Sequence, residues 1–214
     1  MIIGIIDYGV SNTGSVKRAV ELAGAEPLLI RAPDDAAQCS ALILPGVGNF
    51  SVCYKKLKEQ HWVDFFANQY SSNRWPLLGI CVGMQLLMEH GFEGASDDCP
   101  SPGLGLIPGA VVHLGKQECK QRLPHVGWNS INIKNTEKEN ILFKDISDKT
   151  DFYFVHSYSA ILSDAAMATS TVNYEIDIVA SVSNNKVFGT QFHPEKSSKA
   201  GLAVYRNFIN TVPC

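Results

Sequence analysis

The chain has 214 residues, 45% apolar side chains and a net charge of −3, enough to bury a sizeable core without disulfides or metals. That near-neutral balance argues against a nucleic-acid or membrane-binding face, and no apolar run approaches bilayer-spanning length. The six cysteines (Cys39, Cys53, Cys81, Cys99, Cys119 and Cys214) form no Cys-x-x-Cys pair, so a reduced, cytoplasmic setting without a metal is expected.

Met1–Ile6 is too short and lacks the basic segment for a secretory signal; Ile2–Ile6 reads as a first strand. Ser11 or Asn12 can cap a helix with Val16, Ala19, Val20 and Ala23 on one face, ended by Gly24. The turn from Gly9 to Ser15 resembles a phosphate loop but lacks its lysine, and no dinucleotide fingerprint is present, so no cofactor is expected. Pro27–Ile30 and Ala41–Leu44 are short strands, and 50–70 is mostly helical with Leu57, Trp62, Phe65 and Phe66 in the core. Pro76 to Leu87 runs from strand into helix, with Met84, Leu87 and Met88 at helical spacing after Cys81. The segment 91–109, rich in Gly, Pro, Ser and Asp, reads as loop. Val111–Leu114, Asn129–Ile133, Phe152–Val155, Thr169–Tyr174, Ile178–Ser183 and Val187–Phe192 read as strands, with a hairpin turn at Asn184-Asn185 and a closing helix at Ser197–Ile209. Strand–helix alternation in the first half predicts an α/β fold. Its sheet is mostly parallel and doubly wound, with antiparallel strands added by the second half, in one domain over 1–214.

Three short segments carry chemistry. Gly79-Ile80-Cys81-Val82-Gly83 places a thiol at a strand-to-helix turn, the cysteine form of a nucleophile elbow, where the helix N-terminus favours thiolate. Pro45-Gly46-Val47-Gly48 ends an apolar strand, and its glycines let main-chain N–H groups approach a developing oxyanion. His193-Pro194-Glu195 follows another strand; Pro194 biases His193 to extended backbone, so Glu195 shares its side and can orient it. His156 and His125 are the competing bases, while His61, His90 and His113 fit structural or solvated positions.

Together these segments resemble the class I (triad) glutamine amidotransferases over nearly the whole chain. Within that class they are similar to the glutaminase subunit of imidazole glycerol phosphate synthases. Asp7-Tyr8-Gly9, Pro124-His125-Val126-Gly127-Trp128-Asn129, Tyr153–Tyr158 and Gly189–Ser197 add to the likeness. The resemblance implies a flavodoxin-like fold and hydrolysis of L-glutamine by Cys81, His193 and Glu195. It implies oxyanion donors at Val47, Gly48 and Val82, and substrate contacts at Gly48, Gln85, Glu93, His156 and Ser157. It further implies a (β/α)8 barrel synthase subunit that receives ammonia, docked on Pro124, His125, Trp128, Asn129 and Tyr153. One departure stands out: Gly14 replaces the arginine usual in the first-helix motif. Two alternatives follow: a paralogue supplying ammonia for cell-surface sugar modification, and a partner-independent cysteine hydrolase of γ-glutamyl substrates. The aromatic 124–128 stretch suits an interface core and favours a partner.

Overall fold

The most apolar runs of the chain become the middle of its large sheet. The computed structural model describes residues 1–68, 75–96, 98–134 and 140–212. In chain order the first half is β1 (Ile2–Ile6), α1 (Thr13–Leu22), β2 (Glu26–Ile30), β3 (Ala41–Gly46), α2 (Phe50–Glu59), α3 (Trp62–Asn68), β4 (Leu77–Cys81) and α4 (Val82–Leu86). The second half is β5 (His90–Ser96), β6 (Cys99–Pro102), β7 (Gly109–His113), β8 (His125–Ile133), β9 (Asp151–His156), β10 (Tyr158–Leu162), β11 (Ala168–Tyr174), β12 (Ile176–Asn184), β13 (Val187–Thr190) and α5 (Ser198–Ile209).

One sheet has the strand order β2-β1-β3-β4-β13-β12-β11-β8-β9. Pairing is parallel from β2 to β13 and antiparallel from β13 to β9. Every residue of β3 and β4 is buried, which is why both carry unbroken apolar runs instead of alternation. The chain leaves β1 towards β2 and leaves β3 towards β4, so right-handed crossovers put α1 and the α2–α3 pair on opposite faces. α5 packs beside α1, and α4 beside α2. That reversal between β1 and β3 opens a crevice at the carboxyl ends of the strands. A second sheet, β10-β7-β5-β6, stands beside the first.

Several local expectations need correction. The segment 91–109 is not simply loop: it completes β5 and contains β6. Its glycines answer to packing, since a Cβ on Gly91 would lie 2.8 Å from the Phe50 ring. The helix expected over 50–70 breaks at Gln60-His61, where His61 takes φ 64°; residues 69 and 70 lie outside the described part, as does Cys214. Asn12 stands at the N-cap of α1 but its side chain makes no capping bond, and Ser11 Oγ has no hydrogen-bond partner among the described residues. The strand expected from Asn129 begins at His125, so the aromatic stretch is strand backbone paired to β9. α4 has only five residues; Leu87 and Met88, expected on its face, lie beyond its end and are buried.

Candidate active site

The chain reverses at Cys81. The residue ends β4, precedes α4 and adopts φ 54°, ψ −110°, a conformation that costs energy for any side chain. Glycine on either side makes the turn sterically possible. A Cβ on Gly83 would sit 1.8 Å from the Leu44 carbonyl oxygen of β3, and one on Gly79 would sit 2.7 Å from the Gly83 oxygen. The start of α4 therefore lies directly on the backbones of β3 and β4, and this presses Cys81 to the crevice end of the sheet.

β13 pairs with β4 in parallel, Thr190 beside Ile80, and so delivers His193 to the same end. His193 Nδ1 is 2.7 Å from Glu195 Oε1, and both side chains are 2% exposed. The His193 backbone is clamped at both ends: its N–H donates to Tyr153 O at 2.9 Å, and its carbonyl accepts from Ser197 Oγ at 2.7 Å. Among the described residues Nε2 has no hydrogen-bond partner, is buried, and remains for the thiol. Burial opposes charge on this imidazole, but Cys81 and Glu195 outweigh it and push His193 up to about 10. Burial instead drives His156 down to about 3 and lowers His125 against its bond to the Asn129 side-chain oxygen. Of the three imidazoles considered as bases, His193 alone has a carboxylate partner among the described residues, and it alone is pushed up and not down. Burial holds the thiols of Cys39 and Cys53 at about 11, so both are poor nucleophiles.

A cleft of about 290 Å³ opens over Cys81. Gly48, Val82, Gln85, Glu93, His156 and Ser157 line it, together with Pro124 and Val47. Glu93 Oε2 accepts from Phe50 N at 3.0 Å; burial raises its carboxyl, and that amide opposes the rise. Val47 is not presented as a donor in this arrangement. Its N–H donates to Val10 O at 3.3 Å, and its carbonyl accepts from Cys53 Sγ at 3.5 Å, so the peptide would have to turn to reach an oxyanion. Gly48 holds φ +91°, which glycine accepts without strain. Trp128, Asn129 and Tyr153 lie off the cleft lining, with Trp128 half exposed and 6.1 Å from the Tyr153 ring.

The glutamine amidotransferase class-I family model matches residues 4–212. The chain belongs to that family. Curated relatives include the imidazole glycerol phosphate synthase subunit HisH 1 of Prochlorococcus marinus (strain MIT 9313), 43% identical over 98% of this chain and 97% of that protein. The HisH 1 subunit of Campylobacter jejuni (strain RM1221) is 39% identical over 97% of this chain and 98% of its own length. Among solved structures, a glutamine amidotransferase aligns with TM-score 0.74 at 17% identity, covering 99% of both chains, and PurLQS from Thermotoga maritima with 0.72 at 18%, again over 99% of each. At such identities these two speak for the fold.

Two polar chains in this amidotransferase lead away from the cleft, and both meet at one carbonyl. Tyr158 O accepts from His156 Nδ1 at 2.9 Å and from Gln85 Nε2 at 3.0 Å. The first bond fixes the proton of neutral His156 on Nδ1 and leaves its Nε2 3.0 Å from His125 Nδ1. His125 is stacked between Phe154 and Tyr174, and its Nε2 meets the Asn129 side chain at 2.9 Å. Its expected place on a partner surface is therefore corrected: the ring is buried, and Val126 and Trp128 take the exposed face of β8. The second chain runs from Gln85 to Gln191, a buried residue that sequence reasoning passed over. Its signal was a large polar side chain just past the end of a buried strand, next to Phe192.

Proposed function

We propose that the chain is the glutamine-hydrolysing subunit of an imidazole glycerol phosphate synthase, working through Cys81, His193 and Glu195. The observation that carries the chemistry is the buried 2.7 Å pairing of His193 with Glu195 beside a thiol on a strained elbow. The relatives named as HisH subunits support the pathway.

In this mechanism His193 takes the proton of Cys81, and the sulfur attacks the side-chain carbonyl carbon of glutamine. The oxyanion is held by main-chain N–H groups of Val82 and Gly48, joined by Val47 when its peptide turns. The imidazolium so formed, held in place by the Glu195 carboxylate, gives its proton to the departing ammonia. Neutral again, it takes a proton from water, which attacks the γ-glutamyl thioester and releases glutamate. Glu93 meets the substrate ammonium, Gln85 its α-carbon end, and the His156-Ser157 backbone completes the wall.

Ammonia then passes to a (β/α)8 barrel subunit that uses it on a ribulosyl nucleotide precursor. Exposed Trp128 and Val126 beside Tyr153 suit such a docking face. A second reading, ammonia supply to a sugar-modifying partner, is favoured by one observation. Gly14 stands in the first turn of α1 with nothing among the described residues within 4 Å of its Cβ position, in place of the arginine usual in the motif that the resemblance implies. Complementation of a strain lacking its histidine-pathway glutaminase separates the two. Growth without histidine is expected with the intact chain and not with Cys81→Ala; failure of the intact chain moves the second reading to first place.

A further inference from the structure

We infer that Gln191 is a further catalytic residue, whose side-chain amide donates a hydrogen bond to the Cys81 sulfur. The inference rests on the reading of Cys81 as nucleophile and begins from a group whose polarity is beyond doubt. The Tyr158 carbonyl can only accept, so the end of Gln85 that lies 3.0 Å from it is the NH2 group. That same NH2 lies 3.1 Å from the Gln191 side chain, and only an oxygen can receive it there. Gln191 Oε1 therefore faces Gln85, and Nε2 is turned towards Cys81 Sγ at 3.7 Å. The reverse orientation would set two NH2 groups head to head and leave a carbonyl oxygen against the sulfur. Backbone polarity thus passes through two amides to the reacting atom.

The donor is also held still and dry. Gln191 is 0% exposed, and its own backbone N–H is fixed to Ala180 O at 2.8 Å. A buried neutral donor favours the anionic form of its acceptor and needs no reorganisation when charge appears. This matters most when the thioester is hydrolysed. Water oxygen bonds to the acyl carbon, its proton goes to His193, the C–S bond breaks, and its electron pair leaves on sulfur. A donor already at Sγ stabilises that leaving thiolate. The contact of the sulfur with Val155 O at 3.9 Å is to an acceptor and cannot do so.

The test is the pH dependence of Cys81 alkylation by iodoacetamide, followed by peptide mass spectrometry on the full chain. The titratable groups near the sulfur are His193 with Glu195 behind it, Tyr8 and Cys53 from the β1 and α2 side, His156 near His193, and Glu93 across the cleft. All are unchanged in the variants. In Gln191→Leu or Gln191→Met the half-maximal pH should rise by about one unit and alkylation at neutral pH should slow about tenfold, the low end for a hydrogen bond to an ion. An unchanged profile in either folded variant overturns the proposal. Should both unfold, Gln191→Glu keeps the volume and the acceptor for Gln85; alkylation at pH 8 should then slow at least about tenfold as the carboxylate repels the thiolate, and an unchanged rate overturns the proposal equally. Glutamine hydrolysis is measured in parallel on the native chain. Full alkylation of Cys81 without loss of hydrolysis would overturn the nucleophile assignment itself, a result separate from an unchanged profile.

Discussion

Gly83→Ala tests the elbow without touching a reacting group. The added Cβ would stand 1.8 Å from the Leu44 carbonyl oxygen, whereas real contacts keep at least 3.0 Å, so a displacement of about 1.2 Å is required. Both partners are backbone: one opens α4, the other lies in the buried middle of the sheet. No side chain can swing aside, and α4 must lift off β3. Overpacking of this kind costs roughly 1–3 kcal/mol of stability. A shift of about 1 Å at a reacting centre costs on the order of 10² in rate. Because Cys81 and Val82 ride on the displaced segment, the nucleophile and one oxyanion donor move together. Glutaminase kcat/KM should therefore fall about a hundredfold while a urea titration still shows a cooperative transition, its midpoint lowered. A Gly83→Ala protein with unaltered kcat/KM and an unaltered midpoint would refute the steric reasoning.

Three further outcomes are expected. His193→Ala should reduce glutamine hydrolysis more than Glu195→Ala, and the double variant should lose far less than the product of the two, as for groups acting as one unit; simple multiplication would show that they act separately. Val47→Pro removes the N–H that now bonds Val10 O, and with it the donor the turned peptide would offer, so partner-stimulated hydrolysis should fall about 10²–10³-fold while partner binding, read by titration calorimetry, persists. His156 titrates at about 3 in the folded chain against 6.5 unfolded, so its stabilising contribution is full above pH 6.5 and lost as pH falls towards 3. His156→Gln should accordingly flatten the acid limb of stability, measured by urea titrations across that range, and an unchanged limb would refute it.

What could be read from the sequence, and what could not, follows from the reach of each interaction. Cys81, His193 and Glu195 stood out because a turn, two glycines and a proline constrain them locally, and the parallel pairing of β4 with β13 brings them to one place. Gln191 stayed hidden because its meaning comes from Tyr158 O, which reaches it only through Gln85. β5 read as loop because its glycines answer to other elements: Gly91 to the Phe50 ring, Gly94 to the Asn49 side chain. β10 escaped because Ser157 alone separates it from β9, although the two strands belong to different sheets. The break at His61 was masked by apolar residues that continue on both sides of it. The orientation of the Val47 peptide is set by the Val10 carbonyl, a backbone partner that leaves no trace in residue types.

The position of β13 has a consequence for biosynthesis. The strand lies between β4 and β12, yet it is made from residues 187–190, near the end of the chain. On the ribosome, where synthesis runs from the N-terminus, the edge of β4 stays bare until Val187 emerges to meet Leu77, about 110 residues later. During that interval the nascent chain displays a fully apolar strand with unpaired N–H and C=O groups, a template for wrong pairing that a chaperone would have to cover. The same timing protects the cell from an unregulated thiol. Any chain released before residue 193 lacks the imidazole and carries only the Cys81 half of the Cys–His pair.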